Sequence, residues 1–396
     1  MLEYDTVVVG AGPIGGYIAG KIAEKNYKVI IFEKNKQIGK PVNCAGLVSP
    51  RVFDLIDIEK EKVIQNTLKG ANIHSPSGDI LTIGGNKVHA YAIDRTKFDN
   101  EIIKKSKDKG AQVFLDNNVI SAQKIGEYVE ISSSKKIEVK TKLVIGADGP
   151  YSKIRDRFIL PEPKEFLRGI GAEITNTNLN PDFVEIFVGE KIAPGFFAWI
   201  IPTNRNGTKA RIGLCISQNI KESPKFYFQN FLKNKNSIRF FENIKILKYI
   251  GGVIPLGFLK KTYTSNVLVA GDAAAQVKPT SGGGIYTGLL SANYCTKVAI
   301  EALEKNNFSS QFLKKYHKMW YADIGKELFL GMKFRRIFKN LSDDQMDKYI
   351  KKFKNSKIIE IISEYGDIDY PSKLVTHLLK KTPTLIRLIP SIIKEK

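Results

Sequence analysis

The stretch from Asp5 to Glu33 constrains the fold more than any other part of the chain. An apolar run leads into the pattern GxGxxG at Gly10, Gly12 and Gly15, and a second apolar run ends at Glu33. Glycines at these positions permit a tight turn, let backbone amides approach a pyrophosphate at a helix N-terminus, and let helix and strand pack closely. The unit spans about thirty residues, the size of a dinucleotide-binding βαβ unit.

Glu33 indicates which dinucleotide this unit prefers. A carboxylate at the end of the second strand can accept hydrogen bonds from both hydroxyls of an adenosine ribose, and it repels a 2′-phosphate. The sequence therefore predicts a dinucleotide without that phosphate, and NADP is disfavoured in this site.

A second glycine-containing stretch, LVIGADGPYSKIR, covers residues 143–155. It reads as a strand that ends in a turn, with Asp148 in the turn and a short helix behind it. A carboxylate there can face a bound ligand, or it can simply satisfy free backbone amides of a capped turn. Because the chain also carries the first glycine motif, the interpretation that Asp148 faces a bound ligand is favoured.

A third stretch, GDAAAQVKPTSGGGI, covers residues 271–285 and follows another apolar run. Asp272 at the end of that strand can accept hydrogen bonds from a polyhydroxyl chain such as ribityl. Gly283 and Gly284 place bare amides and a positive helix end beside a flat ligand. A reduced flavin carries negative charge on its pyrimidine ring, which a helix N-terminus stabilises. The stretch is best explained as one wall of a flavin site.

Composition narrows the other possibilities. Three cysteines and four histidines are scattered along the chain, so neither a disulfide framework nor a metal site is expected.

The net charge of +22 reflects either the composition of the lineage or an attraction to anionic lipid or nucleic acid. No nucleic-acid motif accompanies the charge, so lipid is the favoured partner and no nucleic acid is expected. Without a signal peptide or a long apolar run, the protein is expected to be cytoplasmic or peripheral to a membrane.

Hydrophobic periodicity divides the chain into three parts and predicts an α/β fold, α+β overall. Residues 1–70, 93–165 and 263–309 form a discontinuous nucleotide-binding domain with buried parallel strands. Residues 71–92 and 166–262 form an inserted antiparallel β domain. Residues 310–396 form a helical C-terminal cap.

The three motifs, in this order and spacing, resemble those of glutathione-reductase-type FAD proteins of the aromatic-hydroxylase group. Within that group the chain looks most like the archaeal geranylgeranyl reductase family, which includes the digeranylgeranylglycerophospholipid reductases. The more specific marks are IGKPVNCAGLVS (38–49), YAIDRTKFD (91–99), PGFFAWIIP (194–202) and ARIGLCI (210–216). The resemblance covers nearly the whole length and implies a Rossmann-like FAD domain with an inserted antiparallel β substrate domain.

The resemblance also implies site residues. Those for FAD are Ile14 in the phosphate turn, Glu33 on the ribose, Cys44, Ala45 and Leu47 in a loop that passes the flavin, Arg95 and Val119 on the adenosine side, and Asp272, Gly284 and Ile285 on the flavin wall. An aromatic-x-Trp-x-x-Pro strand that lines the lipid pocket in this family is matched by Phe197, Trp199 and Pro202. Packing in the core of a sheet is the alternative role for Trp199.

The chain departs from the family pattern at two places. Several relatives have Cys-Gly-Glu where this chain has Cys44-Ala45-Gly46, and many have Tyr at the position of Phe197. An acidic group and a hydroxyl expected near the flavin are therefore missing, which is compatible with a different substrate within the same family.

The implied reaction is saturation of isoprenoid C=C bonds, in which reduced flavin N5 gives hydride to one carbon and a proton reaches the other. Cys44 is the candidate catalytic proton donor; an inert packed thiol with a water chain as proton source is the alternative. The electron donor is left open between reduced ferredoxin, a reduced deazaflavin and NAD(P)H. The apolar and basic segment TPTLIRLIPSIIKEK (382–396) suits a membrane surface, at the inner face of the cell membrane, or packing on the body of the protein.

Other flavin chemistries share this scaffold. Halogenases carry Trp-x-Trp-x-Ile-Pro, whereas this chain has Phe197-Ala-Trp199-Ile-Ile-Pro202, so halogenation is disfavoured. A flavin monooxygenase remains an alternative. A flavin electron carrier that serves a quinone or a partner protein is an alternative of a different class.

Overall fold

The computed structural model describes residues 1–372, 374 and 377, except for the side chains at 242 and 356. The strands are β1 (Leu2–Val9), β2 (Val29–Phe32), β3 (Leu47–Val48), β4 (Ile64–Leu68), β5 (Gly70–His74), β6 (Ile80–Gly84), β7 (Ala90–Ile93), β8 (Gln112–Phe114), β9 (Val119–Ile125), β10 (Tyr128–Ser133), β11 (Glu138–Gly146), β12 (Glu165–Thr177), β13 (Phe183–Phe187), β14 (Ala198–Pro202), β15 (Lys209–Ser217), β16 (Phe241–Leu256), β17 (Tyr263–Thr264) and β18 (Val267–Val269). The α-helices are α1 (Pro13–Ala23), α2 (Val52–Leu55), α3 (Lys60–Val63), α4 (Arg95–Asp108), α5 (Lys153–Arg157), α6 (Pro224–Lys233), α7 (Ile285–Glu304), α8 (Ser310–Trp320), α9 (Lys326–Lys339), α10 (Asp343–Phe353) and α11 (Ser356–Tyr365).

The first sheet has the order β17-β18-β11-β1-β2-β8, and β10 joins β9 to β11. β1, β2, β8, β11 and β18 run parallel, so their carboxyl ends meet at one edge. The central strands are apolar runs buried on both faces, as parallel strands covered by helices require. Helix α1 packs against α4 and α7 on one of these faces. The predicted α/β fold class is confirmed.

The second sheet has the order β16-β12-β15-β14-β13-β5-β6 and is antiparallel except where β13 meets β5. It is therefore assembled from two separated segments, residues 70–84 and 165–256. Strand β7, at 90–93, pairs instead with β3 and β4 in a small third sheet. The division of the chain into three domains stays a prediction.

Helices α8 to α11 follow the last strand, and α10 and α11 pack on β6 at the end of the second sheet. Leu81 and Val188 of that sheet contact Met346 and Ile350 of α10 in a small apolar cluster. Within the part of the chain that the structure describes, no helix combines the length and apolarity needed to cross a bilayer. The segment 382–396, for which a membrane role is predicted, lies outside the described residues.

Candidate active site

A cavity of about 850 Å³ lies between the carboxyl edge of the parallel sheet and one face of the antiparallel sheet. The turns after β1, β11 and β18 line one end of it. Strands β5, β13, β14 and β15 line the other end, where the wall is mostly apolar. Residues 366–368, which follow α11, complete the wall beside the second sheet. The cavity is therefore continuous from the nucleotide motifs to the predicted lipid strand.

The glycine turn after β1 leaves the N-terminus of α1 open towards this cavity. Gly12 is the N-cap of α1, has no side-chain capping bond, and has no atom within 4 Å of the place a β-carbon would take. Free amides at a helix N-terminus attract anionic groups such as phosphates. Glu33, at the end of β2, accepts hydrogen bonds from the amides of Ala11 at 2.8 Å and Asn35 at 2.8 Å. The carboxylate is thereby fixed beside the turn.

Two further carboxyl groups line the cavity in the turns that follow β11 and β18. Asp148 accepts a hydrogen bond from the Ile154 amide at 3.2 Å with Oδ2, while its Oδ1 is buried without a partner among the described residues. Burial raises the pKa of Asp148 above its ordinary value. Burial also raises the pKa of Asp272 to about 6, although the Arg95 guanidinium acts in the opposite direction. Both groups are therefore acceptors that a ligand with hydroxyl or amide donors can satisfy.

The sequence placed Asp272 at the end of a strand, but β18 ends at Val269 and Asp272 lies in a turn of 3-10 helix, Gly271–Ala274. The chain then returns so that Gly284 becomes the N-cap of α7, again without a side-chain capping bond. A β-carbon at Gly284 would lie 3.0 Å from Oδ1 of Asp272. The glycine therefore lets the helix N-terminus and this carboxyl group meet at one point of the wall.

Lys278 closes the loop between that turn and α7. Its backbone exchanges hydrogen bonds with Gly282 and Gly283, and its Nζ donates to Oδ1 of Asp369 at 2.7 Å and to the carbonyl of Ile368 at 3.0 Å. The segment after α11 is thus held against the wall that carries Gly283 and Gly284.

The loop with Cys44 runs along the cavity between the two sheets. The Gly46 amide donates to Cys44 Sγ at 3.3 Å, and the Arg95 guanidinium is close enough to Cys44 for the two side chains to interact electrostatically. Arg95 also pairs with Asp99 at 3.0 Å. Burial works against the charge of Arg95, but Asp99 and the thiol keep its pKa above the ordinary value. The thiol therefore lies beside a permanent positive charge.

Aromatic rings form the wall of the cavity on the antiparallel sheet. Phe196 and Phe197 stack with ring centroids 4.2 Å apart, and Phe197 meets Trp199 edge-on at 6.1 Å. Val184, Ile186 and Ile201 extend this apolar surface along the sheet. Trp199 Nε1 is buried and has no hydrogen-bond partner among the described residues.

Of the residues singled out from the sequence, most line the cavity: Gly10, Gly12, Ile14, Glu33, Cys44, Ala45, Leu47, Arg95, Val119, Asp148, Phe197, Trp199, Asp272, Gly283, Gly284 and Ile285. Gly15 does not, because a β-carbon there would lie 2.0 Å from the Gly10 carbonyl, which makes it a packing position. Pro202 does not either. It is three residues from Trp199, so the alternation of a strand turns it to the opposite face.

Several polar side chains on the cavity wall were not singled out from the sequence, among them His89, Arg211 and Lys278. Arg211 belongs to the stretch ARIGLCI, and Lys278 belongs to the third glycine-rich stretch. Both residues therefore lie within motifs that the sequence revealed, although the sequence assigned no role to either of them. The histidine carries a buried Nε2 without a partner among the described residues, and burial lowers its pKa. Nothing in its local sequence indicates this position.

The residues present fit FAD. Two uncapped helix N-termini suit its pyrophosphate and pyrimidine ring, and Glu33 is held where an adenosine ribose is expected. Oδ1 of Asp148 and the carboxyl group of Asp272 can accept hydrogen bonds from the hydroxyl groups of a ribityl chain. Within the described residues, no cluster of side chains could hold a metal ion instead.

Comparisons with known proteins agree with this geometry. The family model for the geranylgeranyl reductase catalytic domain matches residues 168–254. A digeranylgeranylglycerophospholipid reductase of Methanocaldococcus jannaschii is 30% identical over 97% of this chain and 97% of its own. An uncharacterized protein of the same organism is 34% identical over 96% of this chain and 95% of its own. The crystal structure of a geranylgeranyl bacteriochlorophyll reductase-like protein from Thermoplasma acidophilum superposes with a TM-score of 0.86, covering 99% of this chain and 100% of its own at 24% identity.

Proposed function

Because the chain belongs to the geranylgeranyl reductase family, we propose that it is an FAD-dependent reductase that saturates C=C bonds in the geranylgeranyl chains of archaeal membrane phospholipids. The observation that carries the proposal is the continuous cavity, which joins an open helix N-terminus to an apolar aromatic wall. One end offers amides and carboxylates to a dinucleotide, and the other offers the apolar surface that an isoprenoid chain requires.

Reduced FAD, when bound, supplies the hydride for this reaction. An isolated C=C bond has no carbonyl that the protein could polarise, so the side chains act by orientation and by excluding water. Phe197 and Trp199 form an edge-on pair that restricts where a flat alkene can lie. Leu167, Leu256 and Val277 are buried behind this pair and keep that side of the cavity apolar.

The proton for the second carbon is proposed to come from Cys44. Its sulfur accepts a hydrogen bond from the Gly46 amide and lies in the loop that lines the cavity. Cys44→Ala should lower the rate of lipid reduction and leave reduction of the flavin by dithionite unchanged. Equal lipid reduction rates in Cys44→Ala and the unchanged protein would assign the proton to water.

The protein is further proposed to act at the inner, cytoplasmic surface of a membrane and to receive electrons from a separate donor, either reduced ferredoxin, a reduced deazaflavin or NAD(P)H. The net charge of +22 supports attraction to anionic lipid. Leu247 and Tyr249 on the edge strand β16 are 53% and 66% exposed, which supports a contact with apolar material. Sedimentation with anionic and with zwitterionic vesicles tests the membrane contact, and anaerobic flavin bleaching by each donor tests the electron source.

The decisive experiment is mass spectrometry of digeranylgeranylglyceryl phosphate after anaerobic incubation with the chemically reduced holoprotein. Mass gains in steps of two hydrogens are expected. Trp199→Ala should abolish them, while Trp199→Phe, which keeps an aromatic ring, should retain part of the activity. A bleachable flavin without any lipid product would favour an electron carrier, and rapid NAD(P)H oxidation with oxygen uptake would favour a monooxygenase.

A further inference from the structure

Arg211 is a buried cation in the wall of the cavity, near the start of β15, and is only 3% exposed. All three of its nitrogens make hydrogen bonds. Nη1 donates to the carbonyls of Ala45 at 3.0 Å and Ile93 at 2.7 Å. Nη2 donates to Gln65 Oε1, and Nε donates to Glu173 Oε1 at 3.0 Å. One guanidinium therefore ties the antiparallel sheet to the Cys44 loop and to the end of β7.

The backbone of the Cys44 loop is shaped around this guanidinium. Gly46 has φ +69°, and a β-carbon there would lie 2.4 Å from Nη1 of Arg211 and 2.6 Å from the Ile93 carbonyl. The Gly46 carbonyl in turn accepts from the Ile93 amide at 2.8 Å. Only glycine leaves the space that the guanidinium takes, so the position of residues 44–46 depends on Arg211.

The charge of Arg211 is not fully neutralised. Glu173 lies directly opposite it on β12 and uses its second oxygen, Oε2, for Lys248 Nζ at 3.2 Å. Two cations thus share one carboxylate, so Glu173 is not available to Arg211 alone. Arg211 is the buried member of this group and the one that lines the cavity, and a buried charge is screened less than an exposed one.

We propose that Arg211 is a positioning residue of the active site, which holds residues 44–46 beside the cofactor and raises the reduction potential of the bound flavin through its positive charge. A reduced flavin carries more negative charge than an oxidised one, so a nearby cation stabilises the reduced form. This inference rests on the proposed binding of FAD, but it needs no lipid substrate. A guanidinium fork suits the task because its donors are fixed in one plane, whereas the three donors of a lysine ammonium rotate freely about a flexible stem.

The test is an anaerobic reductive titration of holoprotein followed by flavin absorbance, with Arg211→Met, Arg211→Lys and Glu173→Gln. Arg211→Met should make the reduced flavin at least tenfold less stable relative to the oxidised form, a shift of about 30 mV for two electrons. Arg211→Lys keeps the charge and loses the fork, so its potential should stay near that of the unchanged protein while FAD dissociates several-fold faster. Glu173→Gln removes negative charge and should shift the potential upwards, the opposite direction.

Arg335→Met is the matched control. Arg335 is also 3% exposed, pairs with Glu165 and donates to the Gly195 carbonyl at 2.8 Å, but it does not line the cavity. The Arg335→Met variant should have a lower thermal stability than the unchanged protein and the same reduction potential of the bound flavin. An unchanged potential in both Arg211→Met and Glu173→Gln, or an equal shift in Arg335→Met, would overturn the proposal. Purified protein that binds no flavin at all would instead count against the proposed function.

Discussion

The indole of Trp199 lies against Gly213 of the neighbouring strand, so closely that a β-carbon at Gly213 would be 2.6 Å from Cζ2 of the ring. The two residues are directly paired between β14 and β15. The missing side chain at Gly213 therefore makes room for the ring on the cavity face of the sheet. The same hypothetical β-carbon would lie 2.8 Å from the Ile170 carbonyl, so the space is closed on two sides.

We expect Gly213→Ala to destabilise the protein by about 1–3 kcal/mol, as overpacking of a tight site does. It should also lower kcat/KM for the lipid, since the indole must turn away from its place on the sheet. Urea unfolding and lipid turnover measure the two effects. In a Trp199→Phe background the smaller ring should relieve part of the stability loss, which a double-mutant cycle detects. Strictly additive losses would show that the ring and the glycine are not coupled.

Asp272 should give the apoprotein a recognisable pH dependence. Because burial raises the pKa of this carboxyl from 3.8 to about 6, the folded state binds its proton more tightly than the unfolded state does. The contribution of Asp272 to stability is therefore complete below about pH 4 and is lost as the pH rises through about 6. The loss amounts to at most about 3 kcal/mol, an upper limit because the carboxyl is partly open to the cavity.

Asp272→Asn removes this titration. At pH 7 the apo variant should unfold at higher urea concentration than the unchanged apoprotein, and the difference should vanish towards pH 4. The same variant should bind FAD more weakly, because an amide is a poorer acceptor for ribityl hydroxyls than a carboxylate. A stability difference that does not vary between pH 4 and pH 7 would contradict the assignment.

The ion pair of Lys278 and Asp369 should hold the wall that carries Gly283 and Gly284. Asp369 is only 2% exposed, so Asp369→Ala leaves a buried lysine without its carboxylate, at a cost of about 3–5 kcal/mol. Faster FAD release in stopped-flow measurements should accompany this loss. Lys278→Met combined with Asp369→Leu should regain much of the stability, since an apolar pair can replace a buried ion pair.

A surface pair serves as the control for this experiment. Lys354 and Asp79 are 2.7 Å apart at the surface, and surface ion pairs contribute little to stability. Lys354→Met should therefore change neither stability nor FAD release appreciably. If Asp369→Ala behaves in the same way, the segment after α11 does not support the cofactor wall.

The pair of His74 and Glu185 should affect stability without affecting the flavin. His74 Nε2 and Glu185 Oε2 are 2.5 Å apart in the core, and the imidazole stacks on Phe187 with centroids 4.2 Å apart. Val184 and Ile186 line the cavity, so the alternation of the strand puts Glu185 on the other face. Glu185→Ala removes a buried acceptor of His74 and should cost about 1–3 kcal/mol in urea unfolding, and the flavin potential should stay unchanged. A shifted potential would mean that this face is coupled to the cavity.

Local motifs were sufficient to predict part of the architecture. The strand, glycine turn and helix around Gly12 follow from a contiguous pattern, and the α/β class follows from the alternation of such units. Glu33 could be placed because the end of β2 meets the turn of the same βαβ unit. In each case the partners lie within about thirty residues, so the pattern itself contains the contact.

Other parts of the site depend on pairings between distant segments. Arg211 reaches the Ala45 carbonyl across 166 positions of sequence, and nothing near either residue encodes that contact. Lys278 meets Asp369 in the same way, 91 positions away. Pro202 is different, because the strand period in the sequence is enough to place it on the face opposite to Trp199. A family motif suggested a pocket residue, whereas the period of a strand already turned it away from Trp199.

The contact between Lys278 and Asp369 also bears on how the protein is made. Gly12 leaves the ribosome long before Asp369, which holds the wall of the cavity that carries Gly283 and Gly284. At roughly 5–20 residues per second, translation from one to the other takes roughly 20–70 s. During that time a nascent chain can present the nucleotide turn but cannot close its site. Cofactor loading is therefore expected to follow the synthesis of Asp369, and chains truncated before this residue should be released without flavin.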